Sequence, residues 1–148
     1  MECYPTEFAS NSADDTFNLG KTLAGRLKPG LVIALRGGLG AGKTCLVKGI
    51  ACGLGVMQTI TSPTYTIISE YTGLLNNKSV PFYHIDAYRL QDDEDFESTG
   101  AMDCFDGKGI TIIEWSERIP RSIPPGAVTI TVEITGPKSR LFRLEGLT

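Results

Sequence analysis

Hydrophobic positions in this chain fall into short continuous runs separated by glycine- and proline-rich breaks. Leu31-Val32-Ile33-Ala34-Leu35, Val80 to Ile85 and Ile110-Thr111-Ile112-Ile113 are of strand length and apolar at successive positions. Such runs predict strands covered on both faces, as in a parallel sheet. From about Ala13 to Leu27 the pattern changes to a helical one, with Phe17, Leu19, Leu23 and Leu27 as a rough apolar stripe. Ser12 followed by Asp15 is a capping signal, Asp14 and Asp15 suit the positive end of a helix, and Lys28-Pro29-Gly30 stops it. Thr44 to about Cys52 reads as a second helix, ended by Gly53 and Gly55. The acidic stretch Asp92 to Glu97 is either the solvated start of a short helix stopped at Gly100 or a binding segment. Near the end, Val128, Ile130, Val132 and Ile134 alternate with Thr129, Thr131 and Glu133. Gly136-Pro137 then turns the chain so that Arg140 to Leu144 returns antiparallel.

This order of elements predicts an α/β fold with a mainly parallel central sheet, an antiparallel C-terminal edge and helices on both faces. No repeat, low-complexity tract or long linker divides the 148 residues, so residues 1–148 read as a single domain. The net charge of −3 argues against direct, sequence-independent nucleic-acid binding, which needs a basic surface, but not against RNA reached through a partner protein. No apolar run is long enough to span a membrane and the first residues lack a signal-peptide core, so a cytoplasmic protein with no membrane partner is expected. Cys3, Cys45, Cys52 and Cys104 form no C-x-x-C pair, and His84 is the only histidine, so zinc-ligand spacing is missing. The cysteines read as packed free thiols, with Cys45 and Cys52 on one helix face.

The chemistry begins where the first apolar run ends. Gly37-Gly38-Leu39-Gly40-Ala41-Gly42-Lys43-Thr44 fits G-x-x-x-x-G-K-[ST], between a predicted strand and a predicted helix. Its glycines let consecutive backbone N–H groups turn around a phosphate, and the following helix aims its free N–H groups at the anion. Lys43 can reach the β- and γ-phosphates, and the Thr44 hydroxyl can ligate a Mg2+ that bridges them. The motif therefore adds a P-loop NTPase-like character to the α/β reading.

Such a site needs further carboxylates. Open parallel sheets gather ligands at the carboxyl ends of their strands. The second apolar run ends at Asp86 and the third at Glu114, so parallel strands would bring Lys43, Thr44, Asp86 and Glu114 to one end of the sheet. Asp86 is then a Walker-B-like acid, binding Mg2+ directly or through water. Glu114 is either a metal-shell carboxylate or the group that orients attacking water. His84 shares the strand face of Asp86 and reads as a satisfied buried histidine or a general base. Trp115 either packs in the core or borders the nucleotide, and Arg89 either contacts phosphate or forms a structural ion pair.

Taken together, Leu39 to Thr44, Ser62-Pro63-Thr64-Tyr65-Thr66, His84-Ile85-Asp86-Ala87-Tyr88-Arg89-Leu90 and Ile113-Glu114-Trp115-Ser116-Glu117 resemble the TsaE (YjeE) family. Weaker likeness extends to Thr16 with Gly20, and to Gly100 followed by Asp103 and Phe105. These are small bacterial P-loop ATPases needed for threonylcarbamoyladenosine in transfer RNA. The resemblance implies ATP and Mg2+ as cofactors, weak ATP hydrolysis by the protein alone, and docking on TsaB and TsaD, whose complex it resets between cycles. The tRNA is then met only through that complex. By matching, Lys43, Asp86 and Glu114 are the catalytic residues, with Thr44, Asp86 and Glu114 at the metal. Thr64 and Thr66, in a switch-like loop near the γ-phosphate, join the P-loop, Cys45, Trp115 and Arg140 in contacting the nucleotide. Gly38 departs from an acid common in relatives, and Cys45 from a threonine. A thiol at a helix N-terminus is expected to gain thiolate character, so that oxidation impairs nucleotide binding.

Three other readings use the same loop. A small-molecule kinase wants an arginine-rich lid, whereas the arginines here are scattered along the chain. A GTPase wants D-x-x-G and N-K-x-D, and neither Asp86-Ala87-Tyr88-Arg89 nor Asn77-Lys78-Ser79-Val80 complies. A non-catalytic ATP-binding scaffold would lack a working Glu114.

Overall fold

The computed structural model describes residues 6–38, 40–61 and 67–147. Its strands are β1 (Thr6–Ser10), β2 (Val32–Arg36), β3 (Ile68–Leu75), β4 (Lys78–Asp86), β5 (Ile110–Glu114), β6 (Val128–Ile134) and β7 (Arg140–Glu145). Its helices are α1 (Ala13–Ala24), α2 (Lys43–Gly53) and α3 (Asp93–Ser98). The strands make one sheet in the order β1-β7-β6-β2-β5-β4-β3. The inner four, β6, β2, β5 and β4, are mutually parallel. The predicted antiparallel edge formed by β6 and β7 is present and continues into β1. A second antiparallel edge, β3 on β4, was not predicted.

Side-chain alternation divides the core in two. Ile33 and Leu35 of β2, Phe82 of β4 and Ile110 and Ile112 of β5 pack with Leu23 of α1 and with Leu46 and Ile50 of α2. Val32, Ile85 and Ile113 point the other way and pack with Phe96 of α3. Helices therefore cover both faces, and the inner strands are apolar throughout because neither face meets water.

Helix α1 begins as predicted. Ser12 Oγ accepts from the Asp15 N–H at 3.0 Å, and Asp15 in turn accepts from the Asn11 N–H at 3.0 Å. The helix ends at Ala24 rather than Leu27, with Gly25 as its C-cap, although Leu27 is still buried. The predicted stripe is present in part: Leu23 and Leu27 are buried and Leu19 partly so, while Thr16, Gly20 and Ala24, outside the stripe, are buried as well. Small residues matter here because the α1 and α2 backbones touch. A Cβ on Gly20 would lie 2.5 Å from the Leu46 carbonyl oxygen, and one on Gly49 would lie 2.1 Å from that of Phe17. The acidic stretch resolves as the start of α3. Asp92 caps it by accepting from the Asp95 N–H, and Asp93 accepts from the N–H and hydroxyl of Ser122. No helix among the described residues is long and apolar enough to cross a membrane.

Candidate functional site

The parallel register sets the site. Asp86 pairs with Glu114 at the ends of β4 and β5, and β5 runs beside β2, which leads into the Gly-rich loop. A cleft of about 400 Å³ opens there, lined by the loop, Lys43, Thr44, Cys45, Asp86, Tyr88, Glu114 and Trp115. Three segments distant in sequence thus deliver a lysine, a hydroxyl and two carboxylates to one place.

Glycine is required at two turns of the loop. Gly37 has φ of 152° with Val132 packed against it, and Gly42 has φ of 96° where it precedes α2. Residues with a Cβ avoid this left-handed region. Gly42 offers no side chain, so the first N–H groups of α2 have no side-chain cap and face the cleft as anion donors. Gly38, by contrast, has no atom within 4 Å of where a Cβ would be, so the acid implied for relatives has room there.

Lys43 is 5% exposed and turns back on its own loop. Its Nζ donates to the carbonyls of Gly37 and Gly38 and lies 3.6 Å from the centre of the Trp115 ring. Burial pushes the ammonium below its ordinary value, and Glu117, Glu114 and Asp86 oppose that fall. A bound phosphate would add to these anions and favour the charged ammonium further. Trp115 has a left-handed backbone, φ 59°, meets the Tyr88 ring in a tilted contact with centroids 4.9 Å apart, and borders the cleft as well as packing with the second core.

The Thr44 hydroxyl donates to Glu114, 3.2 Å from Oε1 and 3.4 Å from Oε2. Glu114 is 3% exposed, and its Oε2 lies 2.5 Å from His84 Nε2. Asp86 is half-buried and accepts from the Tyr88 N–H at 2.9 Å. These donors suit Mg2+: a hydroxyl and two carboxylates are hard oxygen ligands, and the nearby sulfur and imidazole are engaged elsewhere.

Arg140 Nε and Nη2 donate to the carbonyls of Ala41 and Gly40, and Nη1 donates to those of Gly136 and Ser139. It therefore ties the loop to the β6–β7 turn. Glu117 accepts from the Gly37 N–H at 3.3 Å. The sequence reading missed both fastenings, as well as the His84–Glu114 contact. The conspicuous segment Ile113 to Glu117 was the available signal for Glu117. Arg89 is exposed and not among the residues lining the cleft. Leu39, Thr64, Thr66 and the rest of the segment Ser62 to Thr66 lie outside the described residues, as does Cys3.

The expectation of thiolate character at Cys45 is corrected. Desolvation pushes this thiol up, despite the opposing influence of Lys48, and its Sγ donates to the Ala13 carbonyl at 3.3 Å. Nor are all the thiols packed, since Cys52 is exposed. Iodoacetamide is therefore expected to alkylate Cys52 before Cys45 and Cys104, as peptide mass mapping over time would show. Faster labelling of Cys45 would contradict the assignment.

Desolvation also raises the Asp86 carboxyl above its ordinary 3.8, and nearby Glu114 adds to this. The Tyr88 N–H, His84 and Lys43 act against it. A carboxyl raised on folding holds its proton to higher pH in the folded chain than in the unfolded one. The contribution of this one carboxyl to stability is thus fully present below 3.8 and is lost as pH rises from 3.8 through the folded value. Asp86→Asn removes that cost and keeps an acceptor for Tyr88. It is expected to melt above the parent at pH 7, with the advantage vanishing below about pH 4. Thermal melts across pH test this, and an advantage constant with pH would refute it.

Comparison with known proteins supplies the family. A family model described as "Threonylcarbamoyl adenosine biosynthesis protein TsaE" matches residues 10–142. The chain belongs to the TsaE family. It is 44% identical over 131 residues to the tRNA threonylcarbamoyladenosine biosynthesis protein TsaE of Treponema pallidum, covering 88% of this chain and 93% of that one. The Bacillus subtilis TsaE is 39% identical over 127 residues, covering 86% and 77%. The crystal structure of Bacillus subtilis YdiB superposes with a TM-score of 0.77 at 30% identity, covering all of this chain and 89% of the other. The P-loop NTPase-like α/β architecture and a place in tRNA threonylcarbamoyladenosine biosynthesis follow from this TsaE membership.

Proposed function

We propose that this TsaE-family chain is a Mg2+-dependent ATPase of the cytoplasm, slow by itself, whose turnover serves a TsaB- and TsaD-like complex. The tRNA is reached only through that complex. The observation that carries the reading is the convergence of Lys43, Thr44, Asp86 and Glu114 with the Gly-rich loop around one cleft. Loop N–H groups and Lys43 would hold the β- and γ-phosphates, and Thr44, Glu114 and Asp86 would hold Mg2+. Mg2+ held there would supply positive charge to neutralise the phosphate oxygens. Glu114 or Asp86 would orient the attacking water. A second cleft of about 470 Å³ adjoins the first through Gly42 and Cys45 and is lined by Ala13, Thr16, Pro137 and Arg140. We place the adenosine there, with Trp115 bordering the phosphate side and Arg140 steadying the loop between the two.

The deciding experiment is ATP hydrolysis by the purified chain, alone and with its TsaB- and TsaD-like partners. Slow turnover that rises on adding them is expected. Turnover indifferent to them would overturn the coupling, and phosphoryl transfer to a metabolite would favour a kinase instead.

A further inference from the structure

His84 is buried at the foot of the cleft, with no exposed surface. It precedes Asp86 by two residues on β4 and pairs with Ile112, two residues before Glu114 on β5. Alternation sends His84, Asp86 and Glu114 to the face that α2 covers. A carboxylate can only accept, so the Nε2 that lies 2.5 Å from Glu114 Oε2 carries the proton. The other ring nitrogen, Nδ1, is buried without a hydrogen-bond partner among the described residues. A histidine present only to fill space would carry the cost of this orphaned nitrogen with nothing gained over leucine. The bond to Glu114 is the compensation the fold offers.

We propose that His84 is a positioning residue for Glu114. By holding Oε2, it leaves Oε1 facing the Thr44 hydroxyl and the cleft, so the carboxylate is already aimed at the cation it would share with Thr44. This rests on the Mg2+-nucleotide reading above. Loss of such an outer hydrogen bond typically weakens metal affinity by about 10- to 100-fold.

The test is calorimetric binding of a non-hydrolysable ATP analogue, without Mg2+ and across a Mg2+ titration. His84→Leu removes the donor at similar volume, whereas His84→Gln places an amide nitrogen near the Nε2 position. The Leu variant is expected to need about 10- to 100-fold more Mg2+ for tight binding, with Mg2+-free binding unchanged, and the Gln variant to recover most of the loss. Should the Leu variant fail to fold, His84→Asn, too short to reach Oε2, is expected to show the same deficit. A parental Mg2+ requirement in His84→Leu or His84→Asn overturns the proposal, as does a Gln variant no better than these. Binding by the unaltered chain that ignores Mg2+ overturns the underlying reading and this one together. A Mg2+ requirement that stays at the parental level after loss of the donor overturns this one alone.

Discussion

Replacing Glu114 by Gln is expected to lower ATP turnover by about 100-fold or more while ATP binding without Mg2+ is unchanged. The reason lies in what the substitution keeps. Gln has the same shape, and its oxygen can still accept from Thr44, which now donates to Oε1 at 3.2 Å. Its amide can donate to His84 once the imidazole carries its proton on Nδ1, which has no hydrogen-bond partner among the described residues. Only the negative charge is lost, and that charge is what a metal-shell or water-orienting carboxylate supplies. The comparison is hydrolysis with saturating partners, set beside calorimetric ATP binding. Equal turnover in the variant would remove Glu114 from the chemistry and favour a scaffold that binds ATP without hydrolysing it.

The largest effect on stability is expected at Gly49→Ala. Alanine ordinarily favours a helix interior over glycine by about 1 kcal/mol. Here its Cβ would stand 2.1 Å from the Phe17 carbonyl oxygen and 3.1 Å from Gly20 Cα, both backbone atoms that no rotamer change can move. Overpacking of this kind costs about 3 kcal/mol, so the net loss is about 2 kcal/mol. For a domain of this size that lowers Tm by about 6 °C. Relief would have to come from shifting α2 away from α1, and α2 begins at Lys43, so ATP affinity should fall with stability. Gly25→Ala is the control. Gly25 has an ordinary helical φ of −69° and no neighbour nearer than 3.6 Å to its Cβ, so little change is expected. Melting curves that fail to separate the two variants would refute the close-contact argument.

Burial explains what the sequence made legible. β2, β4 and β5 are covered on both faces, so their apolar runs are unbroken and their polar ends stand out, which is how Asp86 and Glu114 were found. β1 and β3 are edge strands with few buried positions, so hydrophobic spacing was silent on both. β3 did carry a turn signal: Asn76-Asn77, with φ of 50° and 65°, joins it to β4 as a two-residue hairpin. On α1, the apolar stripe pointed to Leu19 and missed Thr16 and Gly20, because close backbone packing selects for smallness rather than hydrophobicity. The phosphate-binding role proposed for the loop rests on local spacing. The contacts His84 makes with Glu114, and Arg140 with the loop, depend on strand register and on the return of β7, which no local pattern encodes.

The strand order also has a consequence in time. A ribosome delivers β1 first, yet its sheet partner is β7, with Thr6 opposite Leu144. β2 is likewise made before β5 and β6, the strands that flank it. During synthesis the Gly-rich loop therefore emerges beside a strand with both sides open, and the guanidinium that ties it down arrives with β7. Assembly of the site must wait for the last strand, so a nascent chain stalled before β7 exposes strand edges that invite aggregation.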